Sequence, residues 1–453
     1  MSEEEIIMEN IEEELRQALE ARDEETVNNI IDDVHPIDIA IMMEDFSDEE
    51  IRIFHQLVDD EKIATILEQA DEELQVRLIV SLDNESIIKL FNYMQKDDIV
   101  DILGDMPWDR RKAIVNLMKI GDRKTIQDLL GYAEDTAGGI MTTEYISLYC
   151  GFSAMDALQK IKEIAPKTEV IETIFVINIK KELIGVVTLR DILTADNDAT
   201  LESIMEEHFV SVEPEMDQEE VSLLVSKYDL SVVPVINKRK ALLGIITVDD
   251  IIDVIQEEHT EDMLHMGGVS GEESMDSTLW ESIRMRLPWL FVNLVTAFLA
   301  CFVINVFEST IAQVVALAAV MPIVTGMGGN AGTQTLSIMI RSIALGEVSL
   351  KECWKPLVKE ALLGIINGAA VGAVTGVIVY FLYGNMFLGV IIFAAMICNM
   401  LIAGVCGFVI PLVLKALHAD PALASSIFLT TATDVFGFFI FLMLAQVFLP
   451  LLI

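Results

Sequence analysis

Basic residues are scarce in this 453-residue chain: 30 Lys and Arg stand against 72 Asp and Glu, a net charge of −42. A surface of that sign repels polyphosphates and collects cations, which excludes nucleic acid as a partner. Cysteine is sparse too. Cys150, Cys301, Cys353, Cys398 and Cys406 are odd in number and scattered, with no CxxC pair. That excludes a disulfide framework and a thiolate zinc site, and leaves them as small apolar residues. The six histidines do not cluster, and no Ser-His-Asp, Cys-His, P-loop or metal-hydrolase pattern is present, so the chain is not expected to be an enzyme. The opening "MSEEEIIMENIEEEL" lacks a basic segment followed by an apolar core. No secretory signal is predicted, and the N-terminal part is expected to stay in the cytoplasm.

Charge of either sign is nearly absent from the last third. Residues 281–453 hold seven of the 30 basic and seven of the 72 acidic residues, so residues 1–280 hold 23 and 65 and carry the whole −42. Uncharged runs cover Pro288–Phe307, Ser309–Ile340 and Ala361–Leu414, the last interrupted by "YGNM" at Tyr383–Met386. Pro421–Ile453 contains one charge, Asp434. A bilayer crossing takes roughly 20 apolar residues, so these runs predict five spans. Arg284, Arg286, Arg341, Lys351, Lys355, Lys359 and Lys415 all fall before span 1, between spans 2 and 3, or between spans 4 and 5. By the positive-inside rule the N-terminus is cytoplasmic and the C-terminus extracytoplasmic.

Span 2 contains "MPIVTGMGGNAGTQ", residues built to interrupt a helix. Pro322 removes a backbone donor, and Gly326, Gly328, Gly329 and Gly332 let backbone approach closely or unwind. Free backbone groups in a bilayer are tolerated against protein or water, so the segment is expected either to line a path or to pack tightly through small residues. Asn330, Thr333 and Gln334 add oxygens that packing does not need. In span 5, "LTTATDVFGFF" places Asp434 inside an apolar helix at a cost of roughly 2.5–3.5 kcal/mol. No Lys, Arg or His lies in any span to pair with it. Its partner is then polar backbone, water or a cation, and the oxygen donors suit a hard cation. The missing basic residues also argue against an anion path. A homodimer would bring two Asp434 carboxylates to one axis.

The acidic part carries two repeats. "IAIMMEDFSDEEIRIF" (39–54), "IATILEQADEELQVRL" (63–78) and "IIKLFNYMQKDDIVDI" (87–102) align at a 24-residue offset and predict a helical solenoid. "IFVINIKKELIGVVTLRDIL" (174–193) and "VVPVINKRKALLGIITVDDII" (232–252) each run strand, turn, strand and helix. Gly185 and Gly244, Thr188 and Thr247, and Asp191 and Asp250 are all 59 apart. This pair resembles tandem CBS domains. Members of that family bind adenine nucleotides, with ribose between Thr and Asp and phosphates at the helix N-terminus. The resemblance makes Thr188, Arg190, Asp191, Thr247 and Asp250 nucleotide-binding candidates, ATP or another adenine nucleotide being the ligand. Asp191 and Asp250 also fit simple helix caps. Between this module and span 1, "DDIIDVIQEEHTED" (249–262) crowds like charges at helical spacing, which destabilises a helix unless counter-ions relieve it.

Taken together, the chain resembles the MgtE family of magnesium transporters. The motifs that carry the likeness are "GMGGNAGTQ" in span 2, "DPALAS…TTATD" (420–434) in span 5 and the order of domains. The resemblance implies a multidomain fold: a helical solenoid N-domain (1–135), CBS domains at 136–200 and 201–258, an acidic connecting helix (259–283) and a five-helix transmembrane domain (284–453). It implies a homodimer in the plasma membrane with the pore on the dimer axis, Mg²⁺ as substrate and regulator, and lipid contact. The position of Asp434 binds hydrated Mg²⁺ in that family, with the carbonyls of Gly326 and Gly329, Asn330, Ser426 and Thr430 nearby. One Asp per subunit with neutral oxygens suits an ion that sheds water reluctantly. Gating is then expected from cytosolic Mg²⁺ screening Asp249, Asp250, Asp253, Glu257, Glu258, Glu261 and Asp262 against Asp97, Asp98 and Asp101. A CBS-regulated transporter of Co²⁺ or Mn²⁺, or a membrane sensor without transport, is the alternative.

Overall fold

The computed structural model describes the chain except residues 1–2, 166–167, 169, 272, 276, 349–352, 418 and 424, and the side chains of 3–6 and 72–73. Lys351, used above for topology, lies outside the described residues. The chain divides into two units, residues 1–252 and 253–453.

The first unit begins with ten helices: α1 (Glu3–Ala21), α2 (Glu24–Asp33), α3 (Pro36–Glu44), α4 (Asp48–Leu57), α5 (Asp60–Glu68), α6 (Glu72–Val80), α7 (Asn84–Leu90), α8 (Lys96–Gly104), α9 (Trp108–Leu117) and α10 (Ile120–Leu129). From Glu24 to Ile120 the first residues of these helices fall at a constant 12-residue step, two helices to each 24-residue repeat. The step has a local cause. Asp23, Asp71 and Asp83 cap the next helix through their carboxylates, and Ser47 forms a full capping box with Glu50. Each helix packs on the next but one, as in α2 on α4, α4 on α6 and α6 on α8. Ile39, Met43, Ile51, Phe54, Ile63 and Leu67 are fully enclosed between them.

The two CBS-like halves follow. The first holds β1 (Ser147–Tyr149), α11 (Ala154–Ile164), β2 (Thr173–Ile177), β3 (Leu183–Thr188) and α12 (Leu189–Thr194), with sheet order β1-β2-β3, β1 parallel and β3 antiparallel to β2. After α13 (Leu201–Ile204) and α14 (Gln218–Tyr228), β4 (Val232–Ile236) pairs antiparallel with β5 (Leu242–Thr247). The repeated glycines are where the halves clasp. A Cβ at Gly185 would lie 2.9 Å from the Glu206 carbonyl, and one at Gly244 2.6 Å from that of Thr142. Each half thus seats the segment leading into the other, through bridges Val186–Glu206 and Thr142–Ile245.

Helix α15 (Val248–Met266) crosses into the second unit. The acidic helix expected over 259–283 starts earlier and stops earlier. Thr247 and Asp250 cap its start, and the described residues between Met266 and Leu279 are not helical. The Gly267–Gly268 pair ends it, Gly268 taking φ +73°.

The second unit then holds α16 (Leu279–Val306), α17 (Glu308–Gln313), α18 (Ala316–Ala344), α19 (Trp354–Tyr383), α20 (Met386–Ala416), α21 (Ser425–Val447) and α22 (Leu449–Leu452). Among the described residues, four helices are long and apolar enough to cross a membrane: α16, α19, α20 and α21. Helix α18, expected as the second of five spans, has 29 residues and the length to cross, but its glycines, amides and hydroxyls make it less apolar. It packs against both α20 and α21. Helices α19 and α20 meet along a glycine seam. Gly364, Gly368, Gly372 and Gly376 recur every four residues, and a Cβ at Gly368 would lie 2.7 Å from Ile397 Cα.

Candidate ion path and acidic clusters

Helix α18 is continuous through "MPIVTGMGGNAGTQ", so the expected unwinding does not occur. The helix-breaking composition is overridden because an unpaired backbone group in an apolar setting is costly, and the helix pairs nearly all of them internally. Pro322 is accommodated within the helix, on an exposed face. The four glycines divide. Gly328 and Gly332 are buried packing positions, where a Cβ would strike Asn399 and Leu429. Gly326 and Gly329 have nothing within 4 Å of a built Cβ. Gly326, Asn330 and Thr333 follow at helical spacing and are exposed, so one face of α18 is open and polar.

The Gly329 carbonyl is not freed by a break. It lies in the helical ladder and accepts the Thr333 hydroxyl at 3.0 Å. Its availability to a ligand rests on the second lone pair and on the missing side chains around it. On α21, Ser426, Thr430 and Asp434 are four residues apart and share a face. Ser426 and Asp434 are half-buried and Thr430 is exposed, its hydroxyl donating to the Ser426 carbonyl at 2.9 Å. Two neighbouring helices therefore each carry a polar stripe in an apolar bundle.

In the first unit, α8 presents Asp97, Asp98 and Asp101 towards Asp250, one of the seven connecting acids expected to face them. The helix N-terminus favours negative charge, yet the opposite shift wins. Burial is the main cause, then mutual repulsion: the Asp98 carboxyl is pushed up to about 9, with Asp97 and Glu68 its strongest charged neighbours. Asp97 rises to about 6, and one of its oxygens is buried without a hydrogen-bond partner. Asp101 sits at the rim and rises to about 7 through lost hydration and the charges of Asp97, Asp105 and Glu134. Burial and mutual repulsion together penalise the charged forms of this group of carboxylates.

The connecting-helix acids do not all join that group. Asp249, Asp253 and Glu257 are exposed on α15. Asp420, Glu258 and Glu261 gather around Asp262, and burial followed by the charge of Asp420 lifts the Asp262 carboxyl to about 6. His265, buried one turn on, lies 2.6 Å from Asp420 through Nδ1 and 3.6 Å from Glu261. Donor atoms of Glu261, His265 and Asp420 fall within 4.8 Å of one another, a spacing that can hold a metal ion. A cavity of about 390 Å³ beside them is lined by Gln256, Glu257, Thr260 and Ser270. His265 and Asp420 were missed from sequence because 155 residues separate them. The available signal was Asp420 opening the "DPALAS" motif. Asn399, the only amide in α20, was missed as well.

The two strand–helix junctions of the CBS pair are alike. The Thr188 hydroxyl donates to Asp191 Oδ2 at 2.5 Å, and Thr247 to Asp250 at 2.5 Å, each Thr and Asp capping the helix that follows. Arg190 is exposed beside the first. Asp250 thus belongs both to a junction and to the acidic cluster with α8.

Comparison with known proteins matches the N-terminal helices, the CBS pair and most of the apolar helices. A family model described as MgtE, divalent cation transporter, matches residues 321–444; one for the MgtE intracellular N domain matches 34–135; the CBS domain matches 137–198 and 201–257. The chain is 33% identical over 332 residues to the magnesium transporter MgtE of Bacillus subtilis, covering 73% of this chain and 74% of that one. It is 35% identical to that of Enterococcus faecalis over 72% and 71% of the two chains. Among solved structures, the soluble part of a magnesium transporter superposes with a TM-score of 0.52 at 27% identity, over 55% of this chain and 99% of that one. The cytosolic domain of the Mg²⁺ channel MgtE in complex with ATP gives 0.51 at 30% identity, over 54% and 99%.

Proposed function

The chain belongs to the MgtE family of divalent cation transporters, a family of transporters and not of enzymes, and on that premise we propose that it carries Mg²⁺ across the plasma membrane. The observation that carries the reading is the pair of polar stripes: Gly326, Gly329 and Asn330 on α18, and Ser426, Thr430 and Asp434 on α21. Asp434 is the one charge on a helix of 23 residues, and no basic side chain lies on α21 to pair with it. A single carboxylate among neutral oxygens holds an ion through its water shell without trapping it. Under this reading α18 is a fifth span shielded by its neighbours. The N-terminal unit faces the cytoplasm and the C-terminus the outside. Two chains share one pore axis, with residues 284–453 forming the membrane domain and 259–283 connecting to it.

The acidic clusters supply regulation. Cytosolic Mg²⁺ settling among Asp97, Asp98, Asp101 and Asp250, and among Glu258, Glu261, Asp262 and Asp420, relieves their repulsion and favours a packed, closed state. Asp249, Asp253 and Glu257 contribute charge from the exposed face of α15. A ligand shifts such an equilibrium only by binding one state better, and several weak sites in series provide that difference.

The transport reading is tested with full-length protein in liposomes. Mg²⁺ uptake is expected, and hexaamminecobalt, an inert cation the size of hydrated Mg²⁺, is expected to block it. Absence of uptake over a wide range of internal and external Mg²⁺ would leave the sensor reading in its place. The CBS junctions are proposed to hold ATP or a related adenine nucleotide between Thr188, Arg190 and Asp191 and between Thr247 and Asp250. Equilibrium binding of ATP should weaken by about 10-fold in Asp191→Ala, the loss of one charge-assisted hydrogen bond; unchanged affinity would return Asp191 to a capping role alone.

A further inference from the structure

We propose that Asn399 is a positioning residue of the ion path: its amide, seated between Gly328 of α18 and Gly437 of α21, sets how the polar faces of those two helices lie against each other and so sets which ions pass. The inference rests on the reading that these faces line the path.

Asn399 is fully buried in α20, between the two helices that carry the polar stripes. Its Nδ2 donates to the Val324 carbonyl at 2.9 Å. That carbonyl lies two residues before Gly326 and is the one an α-helix pairs with the Gly328 amide. The side chain thus adds a second donor to the backbone at the start of the glycine segment. Asn399 Oδ1 is buried without a hydrogen-bond partner. A Cβ at Gly328 would lie 2.1 Å from Asn399 Nδ2, and one at Gly437 would lie 2.9 Å from both amide atoms. Two glycines on two different helices therefore leave room for one amide. Gly437 lies three residues beyond Asp434, and Gly328 stands between the two glycines that face open space.

Packing alone gives no reason for this choice. An apolar side chain of the same shape would fill the gap without a buried oxygen lacking a partner, which is destabilising. What the amide adds is direction. Apolar helix contacts permit small slides and rotations, whereas a hydrogen bond into one carbonyl fixes α18 in rotation and height against α20. Because Gly437 rests on the same amide, α21 is referenced to the same point. Discrimination among divalent ions depends on where oxygens sit around the hydrated ion, so a small rotation of either stripe alters it.

The test compares Mg²⁺ and Mn²⁺ uptake by full-length protein in liposomes, as a ratio that does not depend on how much protein is folded. Asn399→Leu keeps nearly the same shape and removes the donor. The Mg²⁺:Mn²⁺ ratio is expected to change at least about 3-fold. If Asn399→Leu folds poorly, Asn399→Ala combined with Gly328→Ala returns a methyl to the vacated space. That double variant is expected to recover thermal stability relative to Asn399→Ala without recovering the ratio. A wild-type ratio in Asn399→Leu, or recovery of both properties in the double variant, would overturn the proposal and leave Asn399 as a packing residue. Asp434→Ala, measured alongside, separates the two readings. If it abolishes uptake while the Asn399 variants keep the wild-type ratio, this inference alone fails; if uptake survives it, the path itself lies elsewhere.

Discussion

Asp434→Ala should reduce Mg²⁺ uptake into proteoliposomes by at least about 100-fold, equivalent to ~2.7 kcal/mol of barrier at 25 °C. The size of the effect follows from isolation. Asp434 is the one charge on α21, and the uncharged runs around it contain no second carboxylate to take over. A hydrated divalent ion is attracted by a net charge far more strongly than by the dipole of a hydroxyl or an amide oxygen, so the carboxylate carries most of the attraction. Asp434→Asn keeps the shape and removes the charge, and should fall nearly as far. Asp434→Glu keeps the charge on a longer arm and should recover part of the flux with altered ion preference. Equal uptake in wild type and Asp434→Asn would mean that charge at this position does not matter, and the ion path would have to be sought elsewhere.

In Mg²⁺-free solution, the packing of α8 against the CBS pair should loosen as pH rises from 5 to 9. Asp97, Asp101 and Asp98 are held above the ordinary carboxylate range, at about 6, 7 and 9, by burial and mutual repulsion. A carboxyl with a raised pKa binds more protons when packed than when released. Its contribution is fully present below the ordinary carboxylate range near 4 and is lost as pH climbs through the raised values. Asp101 is solvent-facing, so its share is the one salt reduces most. Hydrogen exchange of the α8 amides, corrected for intrinsic rate, should lose at least about 10-fold in protection across that range, or ~1.4 kcal/mol. Millimolar Mg²⁺ should remove the pH dependence, since the cation replaces the protons. Asp97→Asn/Asp98→Asn/Asp101→Asn should remove it as well and flatten the inhibition of uptake by cytosolic Mg²⁺. Full inhibition surviving in that variant would dissociate the cluster from gating.

Much of this fold was legible in local pattern. The 24-residue repeat reappears as helices starting every 12 residues, because the capping residues Ser47, Asp71 and Asp83 recur with the apolar face. The 59-residue repeat reappears as two strand–helix junctions with matching Thr–Asp hydrogen bonds. Span 2 was legible only in part. Its polar face is visible in composition, but of the two alternatives for its glycines, unwinding or close packing, composition does not choose, and the continuous helix shows packing at Gly328 and Gly332. Gly328 and Gly332 serve contacts with Asn399 and Leu429 that no local rule contains. The connecting acids were likewise read as one set facing α8. Only the structure separates Asp250, which joins the α8 cluster, from Glu258, Glu261 and Asp262, which gather with Asp420.

The sequence by itself determined the two repeats, which runs of the last third are uncharged, and that Asp434 is the one charge in Pro421–Ile453. Each of these is a matter of residue type at fixed spacings, or of the length of a run, and both are written along the chain. The tertiary structure decided which glycines are packing surface and which are open, which acids share a cluster, and that one amide in α20 touches both polar helices. Those facts depend on pairs distant in the chain, such as Asn399 with Val324 and His265 with Asp420, 75 and 155 positions apart, meeting in space. Periodicity carries no information about such pairs, because a helix face is specified by its spacing whatever partner it will bury against.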